Sequence, residues 1–193
     1  MIFPRIDIHT HDPSRADSAI INISPNEDIL PGTYYSMGIH PWDTANVTQT
    51  MLDALASKAH NKQIVAIGET GLDALRGGEI ASQIELFKFH IELSEQLEKP
   101  LIIHAVKTFP QIINLKQELK PRQPWIIHGF RGKPELAQEL LRHGFYLSLG
   151  EKFNKETASI IPSDRLFYES DESPLPIEKI IALINASRDK LIY

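Results

Sequence analysis

The chain has 193 residues, 42% of them hydrophobic and 23% charged, an ordinary globular composition that excludes disordered, fibrous and multi-spanning membrane proteins. Twenty Lys and Arg against 25 Asp and Glu give a formal charge of -5, which excludes a basic nucleic-acid scaffold, so any nucleic acid would be a substrate. The absence of cysteine excludes disulfides, thiolate nucleophiles and Cys-ligated metals. We therefore expect a single domain, residues 1–193, cytoplasmic and without a membrane span or leader.

Short apolar, β-branched runs alternate with longer runs of helical periodicity, the pattern of repeated βα units around a parallel sheet. The predicted strands are Arg5–His11, Ser18–Ser24, Tyr34–His40, Ile64–Glu69, Leu101–His104, Trp125–His128, Phe145–Leu149 and Leu166–Glu169. The predicted helices are Thr48–Asn61, Glu79–Leu97, Thr108–Leu119, Pro134–His143, Lys155–Ile161 and Ile177–Asn185. This order predicts an α/β fold, a closed (β/α)8 or TIM barrel. Only residues 12–17 and 25–33 separate the first three strands, so the helices after strands 1 and 2 are predicted to be missing.

Metal-binding side chains end most of the predicted strands. They are His9, His11, His40, Glu69, His104, His128, Glu169 and Asp171. The carboxyl ends of barrel strands open onto the active-site face, so these groups are expected to converge on one rim. Residues two apart on a strand point the same way, so the first two histidines can contact one ion. Each histidine alone is more often a hydrogen-bonded core residue; the set together indicates a metal site.

The carboxylates leave alternatives open. Glu69 follows an apolar run, where a buried carboxylate is costly unless it is coordinated or held by a salt bridge. Glu169 shares strand parity with Asp171, so one of the two is available to act as a base or to orient a ligand histidine. The remaining histidines lie in helical periods beside charged residues and are interpreted as surface or helix-end residues: His60, His90 and His143.

Six donors from among these side chains exceed the three or four protein ligands of a single catalytic zinc site. They suit two ions about 3.5 to 4 Å apart, bridged by one carboxylate. Such a pair lowers the pKa of a shared water and screens charge on the attacking and leaving oxygens, which predicts hydrolysis. Histidine ligands favour zinc, whereas the carboxylates also allow manganese or magnesium.

Ordered sequence blocks carry a resemblance that spans nearly the whole chain. They read Asp-Ile-His-Thr-His at 7–11, Gly-Ile-His-Pro-Trp at 38–42, Ala-Ile-Gly-Glu-Thr-Gly-Leu-Asp at 66–73, Ile-Ile-His at 102–104, His-Gly-Phe-Arg-Gly at 128–132 and Glu-Ser-Asp-Glu-Ser at 169–173. With these blocks the chain resembles the TatD-type metal-dependent hydrolases of the amidohydrolase superfamily, as a shortened member.

The resemblance implies a ligand set and an activity. One divalent ion is bound by His9, His11, Glu69 and Asp171, and Glu69 bridges to a second ion held by His104 and His128. His40 contacts the substrate, and Asp171 is the base that orients the attacking water. The implied reaction is phosphodiester hydrolysis, often of DNA by an exonuclease, so the expected substrate is a DNA 3′ end or a small phosphodiester. Val106 stands where the family usually has a basic residue, and the loop at 173–176 is short, departures that affect the grip on substrate.

Two other functions remain open. A metal-dependent amide, ester or lactone hydrolase would use the same activated water. A metal-binding protein without turnover is the third reading. A long nucleic-acid groove needs a basic track, and the expected rim cations suffice only for a strand end: Arg76, Lys107, Arg131, Lys133 and Lys152.

Apolar residues of the first two strands raise the question of what covers them. With His9 and His11 facing inward, alternation sends Ile6 and Ile8 outward, and strand 2 adds further isoleucines, including Ile21 and Ile23. Without crossover helices, a second subunit related by a two-fold axis is the simplest cover, which predicts a homodimer.

Overall fold

A computed structural model describes residues 3–189. The strands are β1 (Asp7–Thr10), β2 (Ala19–Ile23), β3 (Tyr34–Met37), β4 (Ile64–Asp73), β5 (Leu101–Val106), β6 (Trp125–Ile127), β7 (Tyr146–Leu149) and β8 (Leu166–Tyr168). The α-helices are α1 (Gln49–Lys58), α2 (Ile80–Leu97), α3 (Phe109–Leu119), α4 (Pro134–Arg142), α5 (Lys155–Ile160) and α6 (Ile177–Asp189). Hydrogen-bonded strands follow the order β1 to β8 and close into a barrel, which confirms the predicted fold class. None of these helices is long and apolar enough to cross a membrane.

The first two crossovers contain no α-helix within the described residues, as predicted. A 3-10 turn, Pro13–Arg15, follows β1, and Asp12 caps it by accepting a hydrogen bond from the Ser14 N–H. The Arg15 guanidinium donates to the carbonyl oxygens of Ser173 and Leu175, each at 2.9 Å. This short turn therefore fastens the loop that follows β8.

Internal contacts divide the chain into two compact units. One runs to Ile21 and resumes at Ile126, and the other is Asn22–Trp125. Within the first unit, β1 pairs in parallel with β2 and β8, and β7 pairs with β6 and β8. Within the second unit, β4 pairs in parallel with β3 and β5. The single domain stays a prediction from the sequence.

Two strands run further than predicted. β4 extends to Asp73 and β5 to Val106, and these two residues are paired. The extension is possible because Gly71 brings the strands close together: its φ is +140°, and a Cβ there would collide with the carbonyl oxygen of His104. A residue other than glycine is strained at such a φ. The extra length carries Asp73 up to the side chain of His104.

The apolar residues of strand 2 need no second subunit to cover them. Ile21 and Ile23 are each 4% exposed within the single chain, and Ala19 and Ile20 are fully buried. Of the residues expected to face outward from β1, Ile6 is exposed, whereas Ile8 is buried. One exposed isoleucine is ordinary for a protein surface. The argument for a homodimer therefore falls away.

The surface interpretation of His90 is also wrong. Leu86, Phe87 and Ile91 share its face of α2, and His90 is fully buried. Its Nδ1–H donates to the Leu86 carbonyl oxygen at 2.8 Å, and its Nε2 accepts the Ile39 N–H at 3.0 Å. Burial lowers the pKa of His90 to about 4, so the ring is neutral and braces the backbone next to His40. The other two helical histidines are as predicted: His60 is exposed, and His143 lies at the C-terminal end of α4.

We predict that acid destabilises the protein through His90. The unfolded chain binds this proton near pH 6.5, whereas the folded chain binds it only near pH 4. Stability therefore falls as the pH drops from 6.5 toward 4, by up to about 3 kcal/mol from this group. Urea unfolding of the parent and of His90→Gln at pH 7.5 and 5 measures the effect. The variant should lose less stability than the parent over this interval; equal losses would contradict the assignment.

Candidate metal centre

Three predicted ligands meet within the first unit. His9, His11 and Asp171 each offer a donor atom, and these atoms lie within 4.8 Å of one another. His9 is buried, and the Nε2 atom of His11 lies 3.9 Å from Asp171 Oδ1. Two imidazoles and a carboxylate form a donor set that binds divalent ions such as zinc. The residues thus fit a metal ion.

Backbone hydrogen bonds hold Asp171 in place. Its φ of 51° is in the left-handed region, which costs a non-glycine residue conformational energy and persists only where the surroundings enforce it. The Asp171 N–H donates to the His9 carbonyl oxygen at 2.9 Å, and the Asp171 carbonyl oxygen accepts the Thr10 hydroxyl at 2.9 Å. The preceding Ser170 donates its N–H and hydroxyl to buried Asp7, at 2.9 and 2.6 Å. Burial raises the pKa of the Asp7 carboxyl, although the Ser170 hydrogen bonds oppose this.

His128 and Glu169 lie beside the same cluster. The rings of His9 and His128 have centroids 4.4 Å apart, and Nδ1 of His128 lies 3.4 Å from Glu169 Oε1. Burial opposes ionisation of Glu169, but the charge and hydrogen bond of His128 and the charge of His9 outweigh it, and the pKa of the carboxyl is lowered. A carboxylate in this position fixes the ring orientation and tautomer of a ligand histidine.

The second unit contains its own cluster, made of His40, Glu69 and His104. Glu69 Oε1 lies 2.8 Å from His104 Nδ1 and 3.1 Å from His40 Nε2, and the two ring nitrogens are 3.3 Å apart. Glu69 is 3% exposed. The cluster therefore holds the buried carboxylate that the sequence analysis singled out, together with two strand-end histidines.

Hydrogen bonds distinguish the two histidines. His40 Nδ1 accepts the backbone N–H of Trp42 at 3.2 Å, so the proton of the neutral ring is on Nε2. His104 Nε2 lies 3.3 Å from Asp73 Oδ2; a neutral ring that donates this N–H to Asp73 turns its Nδ1 lone pair toward Glu69. Two lone pairs 2.8 Å apart favour a cation, which is why this cluster also fits a metal. His40 instead directs an N–H donor at Glu69 Oε1, 3.1 Å away.

Asp73 lies against His104, a contact that the sequence analysis did not predict. Its Oδ2 atom accepts the Trp42 indole N–H at 2.6 Å, and its Oδ1 atom accepts the N–H groups of Leu75 and Arg76 at 2.8 and 3.2 Å. Burial favours the protonated form, but hydrogen bonds from Trp42, Leu75 and His104 outweigh it and lower the pKa of this carboxyl. The available signal was the sequence block at 66–73, which ends on this aspartate.

A cavity of about 230 Å³ lies beside Asp171, entirely within the first unit. Arg131 and Lys152 line it together with the carboxylates of Glu151 and Glu172. Both cations were predicted to lie near the rim. The cavity places positive side chains next to a candidate metal ligand, in a region of mixed charge.

A parallel barrel with histidine–carboxylate clusters is typical of metal-dependent hydrolases. Comparisons with known proteins identify the family. The family model described as TatD related DNase matches residues 15–179. A metal-dependent hydrolase of Buchnera aphidicola is 36% identical over 170 residues, 82% of this chain and 62% of that protein. The 3′-5′ ssDNA/RNA exonuclease TatD of Cronobacter sakazakii is 29% identical, covering 72% of this chain and 57% of that protein. The chain belongs to the TatD family.

Among solved structures, the TatD homologue YJJV of Escherichia coli has the same fold. Its TM-score is 0.77 at 19% identity, with 95% of this chain and 89% of that chain covered. By contrast, this chain spans about three fifths of the length of the curated relatives it matches.

We predict that Asp73→Asn weakens metal binding at the cluster of His40, Glu69 and His104. The amide turns a donor toward the N–H groups of Trp42 and His104, so the histidine loses its orienting partner. Loss of such a partner lowers metal affinity by roughly 10- to 100-fold. Competition with a chromogenic chelator measures it, with the exposed Asp53→Asn of α1 as control. Parent-like affinity in Asp73→Asn would contradict this role.

Proposed function

We propose that the protein is a divalent-metal-dependent hydrolase that cleaves a phosphodiester at a DNA 3′ end or in a small substrate. The observation that carries this proposal is the pair of clusters, each with two imidazoles and one carboxylate in mutual contact range. The name of the Cronobacter relative, an exonuclease on single-stranded DNA and RNA, favours a nucleic-acid substrate.

The proposed ligands follow these clusters. His9, His11 and Asp171 hold one ion, and Glu69 with His104 holds a second. The further ligands implied by the family resemblance, Glu69 for the first ion and His128 for the second, stay part of the proposal. Zinc, manganese and magnesium each suit part of this donor set. Two such ions, when bound, make water acidic and neutralise charge on phosphoryl oxygens.

The chain's own residues supply the remaining chemistry. Asp171, whose backbone is held by hydrogen bonds to β1, accepts the proton of the attacking water on its carboxylate. His40 exchanges its Nε2–H contact with Glu69 for one with a substrate oxygen, because its Nδ1 is occupied by the Trp42 N–H. Glu169 orients His128. Arg131 and Lys152 attract the substrate's phosphate groups toward Asp171. So few cations suit the end of a strand better than a long groove.

A substrate panel tests the proposal against the other two functions. The purified protein, supplied with manganese, zinc or magnesium, is assayed on bis(p-nitrophenyl) phosphate, on p-nitrophenyl esters, on a lactone and on an amide. Single-stranded DNA labelled at either end adds the polarity of attack. We expect cleavage of the phosphodiester and release of nucleotides from the 3′ end. Turnover of the carbonyl substrates alone would favour an amide, ester or lactone hydrolase, and bound metal without any turnover would favour a binding protein.

A further inference from the structure

Trp42 is exposed beside the second cluster, although its indole N–H is hydrogen-bonded to Asp73. The residue is 44% exposed, and among the large exposed apolar side chains within residues 3–189 it is the aromatic one. Its ring centroid lies 4.6 Å from that of His40 and 5.9 Å from that of His104. A broad aromatic surface therefore reaches solvent next to a candidate metal ligand and a candidate substrate donor.

The ring is held in one orientation. Its indole N–H donates to Asp73 Oδ2 at 2.6 Å, and the Arg76 guanidinium lies over the ring, 4.6 Å from its centroid. Buried Pro41 precedes it and begins the 3-10 turn Pro41–Asn46. A ring that is already fixed loses little conformational entropy when a ligand stacks on it.

A flat, rigid ring next to a charged cluster matches the two parts of a nucleotide. The base of a nucleotide stacks on aromatic rings whatever its sequence, and single-strand binding proteins use this contact to hold successive bases. The phosphate of the same nucleotide is drawn to cations, and the exposed Arg76 provides one against the ring itself. The His40 ring packs edge-on against the same indole, with an angle of 78° between the two ring planes.

We propose that Trp42 is a stacking subsite for the nucleobase at the reacting end of the substrate, with Arg76 beside it as a phosphate contact. This inference rests on the proposed function, because it names nucleotides as the ligand class. In this role Trp42 determines specificity, because a phosphodiester that carries a base next to the scissile bond binds better than one without a base.

Binding of two small ligands tests the subsite without turnover, since neither contains a diester bond. Calorimetry compares thymidine 5′-monophosphate with 2-deoxyribose 5-phosphate, which lacks the base, on the metal-loaded protein. We expect the parent to prefer the nucleotide by roughly 5-fold or more, as one base stacked on an aromatic ring would give. We also expect the nucleotide, but not the sugar phosphate, to quench tryptophan fluorescence. The quenched signal comes from Trp42, since the other tryptophan, Trp125, is buried and out of reach of a ligand.

Variants assign this preference to the ring. Trp42→Ala should abolish it, whereas Trp42→Phe keeps a ring without the bond to Asp73 and should retain most of it. Leu119→Ala, which removes an exposed apolar side chain on α3 (41% exposed), is the matched control and should retain all of it. The proposal is overturned if the parent shows no preference for the base, or if the preference survives in Trp42→Ala. Absence of phosphodiester turnover in the substrate panel would overturn the proposed reaction and leave this binding result standing.

Discussion

Asp171→Asn is expected to lower phosphodiester hydrolysis by roughly 100-fold or more, because it removes a base and a charged metal ligand together. The asparagine side chain has nearly the same shape, and the backbone bonds to His9 and Thr10 that hold this residue remain. We therefore expect substrate binding to persist largely unchanged. Steady-state kinetics on bis(p-nitrophenyl) phosphate separate the two effects, with kcat falling and KM nearly constant.

His60→Ala is the control for this variant. His60 is an exposed histidine outside both clusters, and its loss should leave kcat close to the parent value. If the two variants lose activity equally, the catalytic site has been placed wrongly.

Glu69→Gln is expected to reduce both metal binding and hydrolysis, the latter again by roughly 100-fold or more. The carboxylate is 3% exposed and lies within 3.1 Å of His40 and His104. The amide carries no charge to hold a cation at this place and turns a donor or a weaker acceptor toward the two rings. Metal affinity from chelator competition and kcat/KM from the same preparation measure the two losses.

Glu95→Gln is the matched control, because Glu95 is a partly buried carboxylate of α2 that bonds to Arg122 and to the Gln123 N–H. We expect it to leave metal affinity at the parent value. If Glu69→Gln binds metal as tightly as Glu95→Gln, this carboxylate is not a ligand.

The strand-end donors could be predicted from the sequence because they depend on local patterns. A polar residue that follows an apolar β-branched run marks the end of a strand, and parallel strands of a barrel end on the same side. This reasoning predicted that the donors converge on one rim, and the family resemblance grouped His9 and His11 with Asp171, and Glu69 with His104. The missing crossover helices followed from the same reading, since the loops concerned are too short to contain them.

The interactions that orient these donors could not be predicted in the same way. The contact of Asp73 with His104 depends on β4 running four residues beyond Glu69 and on Gly71 allowing close approach to β5. The tautomer of His40 depends on the turn that brings the Trp42 N–H back to its ring. Both are products of tertiary geometry, to which a sequence pattern gives no direct access.

The errors concerning His90 and strand 2 have identifiable causes. Charged neighbours such as Lys88 and Glu92 suggested a surface position for His90, but Leu86, Phe87 and Ile91 place its face of α2 inward. The helical period was the better signal. For strand 2, the absence of its own crossover helix was taken as absence of cover, whereas Ile21 and Ile23 are buried within the single chain.

The number of divalent ions bound per chain tests the central claim most directly. Protein stripped with a chelator is titrated with zinc and with manganese, and the bound metal is counted by elemental analysis after removal of free ions. The two clusters predict two ions per chain in the parent, with the count reduced in Glu69→Gln. A protein that never holds more than one ion, or that holds none, would contradict the two-ion account.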